Sequence, residues 1–202
     1  MPKKTYFLPI LLLGLFLYAP FSIATGPSPQ AQLQATIDRI LATLNVASKS
    51  DIVKKKQILM AIDQRFDYRA ISRRTLATNW KKLNNAQRSR FVTAFSSLLK
   101  AAYYNKLKAY SGERVRIVSE KVEAKRAIID TEVVSASQNI PIRYRMRLKN
   151  DQWLIYDVNV EGVSLVRNYR SSYRSIIDHE GFEGLMVRME KKLASLQEQD
   201  AH

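Results

Sequence analysis

The chain has 202 residues, 46% of them hydrophobic, with two histidines and no cysteine, and its 33 lysines and arginines against 18 acidic residues leave a formal charge of +15. The length suits one domain with a sizeable core, and the lack of cysteine excludes a disulfide framework, a thiol nucleophile and a thiolate metal site. So basic a balance fits either an anionic partner or a solvated cationic surface.

Lys3 and Lys4 precede an apolar run from Tyr6 to Tyr18, and Ser22-Ile23-Ala24 supplies small residues where a signal peptidase reads. The run has about 13 residues and contains Pro9, short of the roughly 20 that span a bilayer. Residues 1–24 are therefore predicted to be a cleaved signal peptide and residues 25–202 a single domain exported to the periplasm. Export turns the expected partner away from nucleic acid and toward anionic lipid headgroups or an acidic protein surface.

After a short linker from Gly26 to Pro29, Leu33, Ile37, Ile40, Leu41 and Leu44 recur at helical spacing, which predicts a first amphipathic helix from Ala31 to Leu44. Asp51 caps a second helix, with Ile52, Leu59 and Ile62 inward and Lys54, Lys55 and Lys56 toward water. Phe66-Asp67-Tyr68 closes it and leads into a short helical segment ending near Leu76, and Trp80 anchors that segment in the core. Asn84 and Gln87 match a capping box and open the longest predicted helix, which runs to about Tyr110 before Gly112 stops it. Its stripe of Phe91, Phe95, Leu98, Leu99, Ala102, Tyr103, Leu107 and Tyr110 is wide enough to cover a sheet.

Four strands follow. Val115 and Ile117 alternate with Arg114 and Arg116, and Ala127, Ile129, Thr131 and Val133 alternate with Ile128, Asp130 and Glu132. In the third strand Ile142, Tyr144, Met146 and Leu148 alternate with Arg143, Arg145, Arg147 and Lys149. Asn150-Asp151 turns the chain into a fourth, with Leu154, Tyr156, Val158 and Val160 on one face and Trp153, Ile155, Asp157 and Asn159 on the other. Gly162 redirects the backbone, and Ser164 caps a helix whose stripe is Leu165, Val166, Tyr169, Tyr173, Ile176 and Ile177. Gly181 and Gly184 bracket a turn into a last helix carrying Leu185, Met189 and Leu193, and Gln197 to His202 read as a frayed tail. This order predicts an α+β fold, a twisted, four-stranded, mainly antiparallel sheet packed against helices.

Groups that carry chemistry are scarce. His179 and His202 have no metal-ligand spacing, and the Gly-x-Ser at Ser164 lacks the second glycine of a nucleophile elbow because Val166 stands there. Asp157 reads as a hydrogen-bonded structural carboxylate, with a general base in a sheet-lined pocket as the alternative. No catalytic residue, metal ligand or cofactor is assigned. An apolar ligand held by burial, or a basic adaptor without a cavity, needs none.

Trp153 and the run YDVNVEGVSLVRNYR resemble the signature of the MlaC, or toluene-tolerance (Ttg2-type), family of periplasmic phospholipid-binding proteins. The similarity extends back through FDYRAISRRTLATNWKK, NNAQRSRFVTAFSSLL and AAYYNKLKAY, roughly Phe66 to Met189. One departure stands out: the family's usual Leu-Gly pair is Leu76-Ala77 here. The resemblance implies an apolar lipid cavity between sheet and helices. It also implies a soluble, monomeric carrier that shuttles phospholipid between an outer-membrane lipoprotein–porin complex and an inner-membrane ABC transporter with a hexameric lipid-binding ring, maintaining outer-membrane lipid asymmetry. The phospholipid is cargo rather than cofactor, and no nucleic acid is involved. The inward faces predict the lining: Phe95, Leu99 and Tyr103 from the long helix; Ile142, Tyr144 and Met146 from the third strand; Val158 and Val160 from the fourth; and Val163, Val166 and Tyr169 after the glycine. Tyr103 matches the family's Leu-x-x-Ala-Tyr segment and Val163 its Glu-Gly-Val-Ser run. Arg167 and Arg170 flank Tyr169 and are the expected headgroup cations. Another lipid such as a hopanoid, or an enzyme using Asp157, is the alternative.

Overall fold

A computed structural model describes residues 28–108, 112–135 and 138–201, so the predicted signal peptide, Tyr110 and His202 lie outside the described residues. Helix α1 (Pro29–Asn45) is capped by the Ser28 hydroxyl, which accepts from the Ala31 N–H at 3.1 Å, and buries Leu33 and Ile37. Helix α2 (Asp51–Arg65) departs from the predicted orientation: Ile58 and Ala61 are buried, whereas Ile52 is 80% exposed. The neighbours it packs against, chiefly α1, select a face narrower than the apolar stripe of the sequence. Lys54 and Lys55 do not simply face water either. Lys54 Nζ donates to the Leu44 carbonyl at 3.2 Å, and Lys55 lies over the Tyr104 ring. At the end of α2, Arg65 donates to Thr36 Oγ1, Gln32 Oε1 and the Trp153 carbonyl, tying helices to sheet.

Helices α3 (Tyr68–Leu76) and α4 (Asn79–Lys82) lead to α5 (Asn85–Lys108), and Trp80 is buried as expected. Strands β1 (Arg114–Glu123), β2 (Arg126–Val134), β3 (Asn139–Lys149), β4 (Gln152–Val160) and β5 (Val163–Ser164) form one sheet in chain order, every pair antiparallel. The sheet thus has five strands where four were predicted. The extra one comes from Glu161-Gly162, both at positive φ, which fold Val163 back against Val160 as a tight hairpin. Asn150-Asp151 make the predicted turn, also with both residues at positive φ. Register places Ala127 beside Met146 and Met146 beside Ile155, and this face packs under Leu33 and Ile37 of α1.

A bulge corrects the predicted faces of β4. Arg145 pairs with Asp157 and Met146 with Ile155, leaving Tyr156 as an extra residue that inverts the alternation. Trp153 and Ile155 therefore join the same core as Val158, and Asp157 turns to the opposite face. Helix α6 (Leu165–Ala201) runs through Gly184 and into the predicted tail, broken only at Gly181, whose φ is +71°. Its residues join α3 and α5 in a second, helical core.

Ala77, which stands where the resembled family has glycine, adopts φ 50° and ψ −117°, a region that a Cβ atom disfavours. Ala77→Gly is therefore expected to stabilise the fold by about 1 kcal/mol, measured by urea unfolding; an unchanged or lower midpoint would contradict the strain.

Candidate functional site

Two helix starts place the site. Gln87 N–H donates to Asn84 Oδ1 at 2.9 Å while Asn84 N–H donates to Gln87 Oε1 at 3.0 Å, the predicted reciprocal cap of α5. At α6 the Ser164 hydroxyl accepts from the Arg167 N–H at 3.1 Å and donates to Asp157 Oδ2 at 2.8 Å, and Val166 N–H donates to Asp157 Oδ1 at 3.2 Å. Asp157 is buried, with Arg145 Nε 4.0 Å away. It thus has the structural role of aiming α6 from β4, and Ser164 is a cap.

Both helices turn aromatic stripes toward each other. Phe95 meets Tyr169 edge-on at 5.0 Å between ring centroids and Tyr173 at 5.5 Å, Tyr169 and Tyr173 lie 5.3 Å apart, and Phe91 closes on Tyr173 at 6.0 Å. Such offset and edge contacts add stabilisation beyond burial. The break at Gly181 then lets the second half of α6 face the same space as the first. Gly184 is needed for that bend, since a Cβ there would come within 2.4 Å of Glu180 Cβ. Glu180 and Arg188 span it with paired bonds of 2.8 and 2.5 Å.

Between α5 and α6 lies a groove of about 570 Å³, with Leu98, Ala102, Tyr173, Ile176, Leu185 and Met189 among its apolar lining and Arg188, Lys191 and Lys192 among its cations. Lys191 and Lys192 are exposed, and neither belongs to an ion pair among the described residues. Burial pushes the phenols of Tyr103, Tyr169 and Tyr173 upward, with Tyr169 adding to the effect at Tyr173. All three stay neutral at physiological pH. The groove can therefore shelter an apolar chain while its cations meet an anion.

The predicted lining falls into two separate places. Phe95, Leu99 and Val166 are buried in the helical core and Tyr103 and Tyr169 pack against it; of all eleven, only Tyr169 lines this groove. Met146 is buried under α1 with Tyr144 and Val158 beside it, and Ile142 and Val160 are half-buried at the end of that face. Val163 corrects the expectation of an inward residue, because the hairpin leaves it 59% exposed. Arg167 is exposed, and Arg170 Nε donates to the Arg74 carbonyl at 2.9 Å, joining α6 to α3 outside the groove lining. The groove cations Arg188, Lys191 and Lys192 were missed. Their signal was present, three cations interleaved with the stripe of Leu185, Met189 and Leu193.

Comparison with known proteins agrees with this architecture. The family model described as MlaC protein matches residues 34–191. The intermembrane phospholipid transport system binding protein MlaC of Haemophilus influenzae is 24% identical over 200 residues, 94% of this chain and 92% of the relative. A phospholipid-binding protein from Ralstonia solanacearum, solved in complex with a phospholipid, shares the fold with a TM-score of 0.78 and 21% identity, over 85% of this chain and 99% of that one.

Removing the carboxylate that aims α6 leaves Ser164 and the first turn without their acceptor. Asp157→Ala is expected to cost about 2–3 kcal/mol and Ser164→Ala about 1 kcal/mol. Urea titration followed by tryptophan fluorescence checks both, and equal, small losses would remove this role.

Proposed function

The chain belongs to the MlaC family, and from that premise we propose that it is a soluble periplasmic carrier of phospholipid. A diacyl phospholipid has about 30 methylenes, and at roughly 0.8 kcal/mol each their exposure to water costs on the order of 20 kcal/mol. Free diffusion between membranes is then negligible, and a carrier must shield the chains while its surface meets the charged headgroup. The observation that carries the reading is the groove between α5 and α6, apolar along Leu98, Ala102, Ile176 and Met189 with Arg188, Lys191 and Lys192 beside them.

In this reading acyl chains enter between the helices and the phosphate turns to Lys191 and Lys192, in place of Arg167 and Arg170. The chain's net positive charge favours anionic headgroups over neutral ones. Residues 1–24 act as the export signal, and no helix among the described residues is long and apolar enough to cross a membrane. Its partners in this reading are an outer-membrane lipoprotein–porin complex and an inner-membrane ABC transporter with a lipid-binding ring, and the carrier works as a monomer. Transport rather than catalysis is supported by Asp157, whose two oxygens already serve Ser164 and Val166.

Ala102 is a half-buried residue of the groove, so a large side chain there fills the space from one wall. Ala102→Trp is expected to cut extraction of a fluorescent phospholipid from vesicles roughly tenfold while circular dichroism stays that of the parent. Undiminished extraction by a folded variant would place the lipid elsewhere. Lys191→Glu with Lys192→Glu is expected to slow uptake from anionic vesicles most at low ionic strength; a salt-independent rate equal to the parent's would remove these lysines from the headgroup role.

A further inference from the structure

The sheet face away from α1 holds a group of arginines whose charge is not balanced. Arg126 of β2 stands directly opposite Arg147 of β3, and Arg145 lies on the same face two residues back along β3. Like charges placed directly opposite each other work against strand pairing. Helix α3 adds Arg74, whose guanidinium lies over the ring of the bulged Tyr156 at 4.1 Å, and α6 adds Arg170, which donates to the Arg74 carbonyl at 2.9 Å. The carboxylates around them are committed. Asp67 holds Arg147, Asp130 holds Arg143, Glu132 holds Arg116 and Glu123 holds Lys121. Asp157 serves Ser164 and the Val166 N–H, with Arg145 Nε no nearer than 4.0 Å. Arg126 is exposed and has no ion pair among the described residues. Burial lowers the Arg74 pKa, and the like charges of Arg147, Arg73 and Arg126 lower it further.

Arg74, Arg126, Arg145, Arg147 and Arg170 thus make one basic patch out of β2, β3, α3 and α6, and none of them lines the groove between α5 and α6. Several are already fixed, Arg74 by the Tyr156 ring, Arg147 by Asp67 and Arg170 by a carbonyl. A guanidinium fork held in place loses little freedom when it meets a carboxylate, and it meets one with paired hydrogen bonds. A bilayer is the poorer match. Membrane-surface segments combine cations with exposed apolar side chains, and none of the exposed large hydrophobic residues belongs to α3, β2, β3 or β4. We propose that the patch docks an acidic, extended segment of a protein partner, whose carboxylates at alternate positions meet Arg145 and Arg147 along β3 and Arg126 beside them. Alternate side chains of an extended chain recur at about 7 Å, which is also the interval between two arginines on one face of a strand. This contact lies outside the groove and does not depend on the groove's cargo.

The test uses the full-length protein after export and a fluorescent peptide of about ten residues, glutamate at alternate positions with serine between, its binding followed by anisotropy at low and at physiological ionic strength. The parent is expected to bind, less tightly as salt rises. Arg126→Gln with Arg145→Gln is expected to weaken binding about tenfold, whereas Lys49→Gln with Lys56→Gln, the same loss of charge around α2, is expected to change it by less than about twofold. Arg126→Gln alone removes a side chain with no ion pair to lose, and its expected loss of about threefold keeps the test independent of how the Arg145 variant folds. Equal losses from the two double variants would mean that net charge alone attracts the peptide, and would overturn the proposal. A parent that ignores the peptide overturns it too, including one that instead binds phosphatidylglycerol vesicles through Arg126 and Arg145, a result that gives the patch to a membrane. Extraction of a fluorescent phospholipid by the Arg126→Gln protein is expected to equal the parent's; a slower rate would tie the patch to the cargo and remove it as a separate docking surface.

Discussion

At Phe66-Asp67 the chain passes from the helices over one face of the sheet to the helices of the second core, and a buried carboxylate fixes that passage. Asp67 is 5% exposed; it accepts from Arg147 Nε at 2.8 Å and from Arg147 Nη2 on the same oxygen, and its other oxygen caps α3 by accepting from the Ala70 N–H at 2.9 Å. Its own N–H donates to the Ile155 carbonyl at 2.8 Å, while Phe66 packs against both hydrophobic cores. One residue thus joins helix, strand and core. Removing Arg147 would leave the buried Asp67 carboxylate without its counter-charge, a destabilising change. Strand β4 gathers the remaining anchors, Arg65 on the Trp153 carbonyl and Asp157 beneath Ser164.

The groove follows from that frame. With α6 started by Ser164 and Asp157 and α5 started by its reciprocal cap, the aromatic stripes must meet, and their contact leaves the space beyond them to be closed or left open by the rest of α6. Gly181 decides this. Its positive φ breaks the helix, and the close approach of Gly184 to Glu180 lets the following turns lie along the first half. Apolar side chains from three helical segments then line a shared groove with lysines among its walls. A wet cation and a dry interior within one groove are what an amphipathic cargo requires.

Much of this was legible in the sequence because periodicity reports burial directly. The strands, the capping box, the Asn150-Asp151 turn and the start of α6 all follow from patterns local to a few residues. Where the reading failed, the cause was a geometric event without a local signature. The bulge at Tyr156 inverted the faces of β4, so Val158 joined Trp153 and Ile155 instead of opposing them. A two-residue strand carried Val163 outward. The groove was the least legible part, because period and spacing give the faces of α6 on either side of Gly181 but not the angle between them. Tyr169 was found from its own stripe, whereas Arg188, Lys191 and Lys192 acquired meaning only once the helix was seen to bend. The departure at Ala77 was visible as a residue type, and the structure supplies its consequence, a positive φ without glycine.

The most direct measurement of the central claim is native mass spectrometry of the protein purified from the periplasm, followed by extraction and identification of whatever travels with it. The account predicts one diacyl phospholipid bound per chain, released when the groove is filled by substitution. A bare protein that also takes nothing from phospholipid vesicles would contradict it.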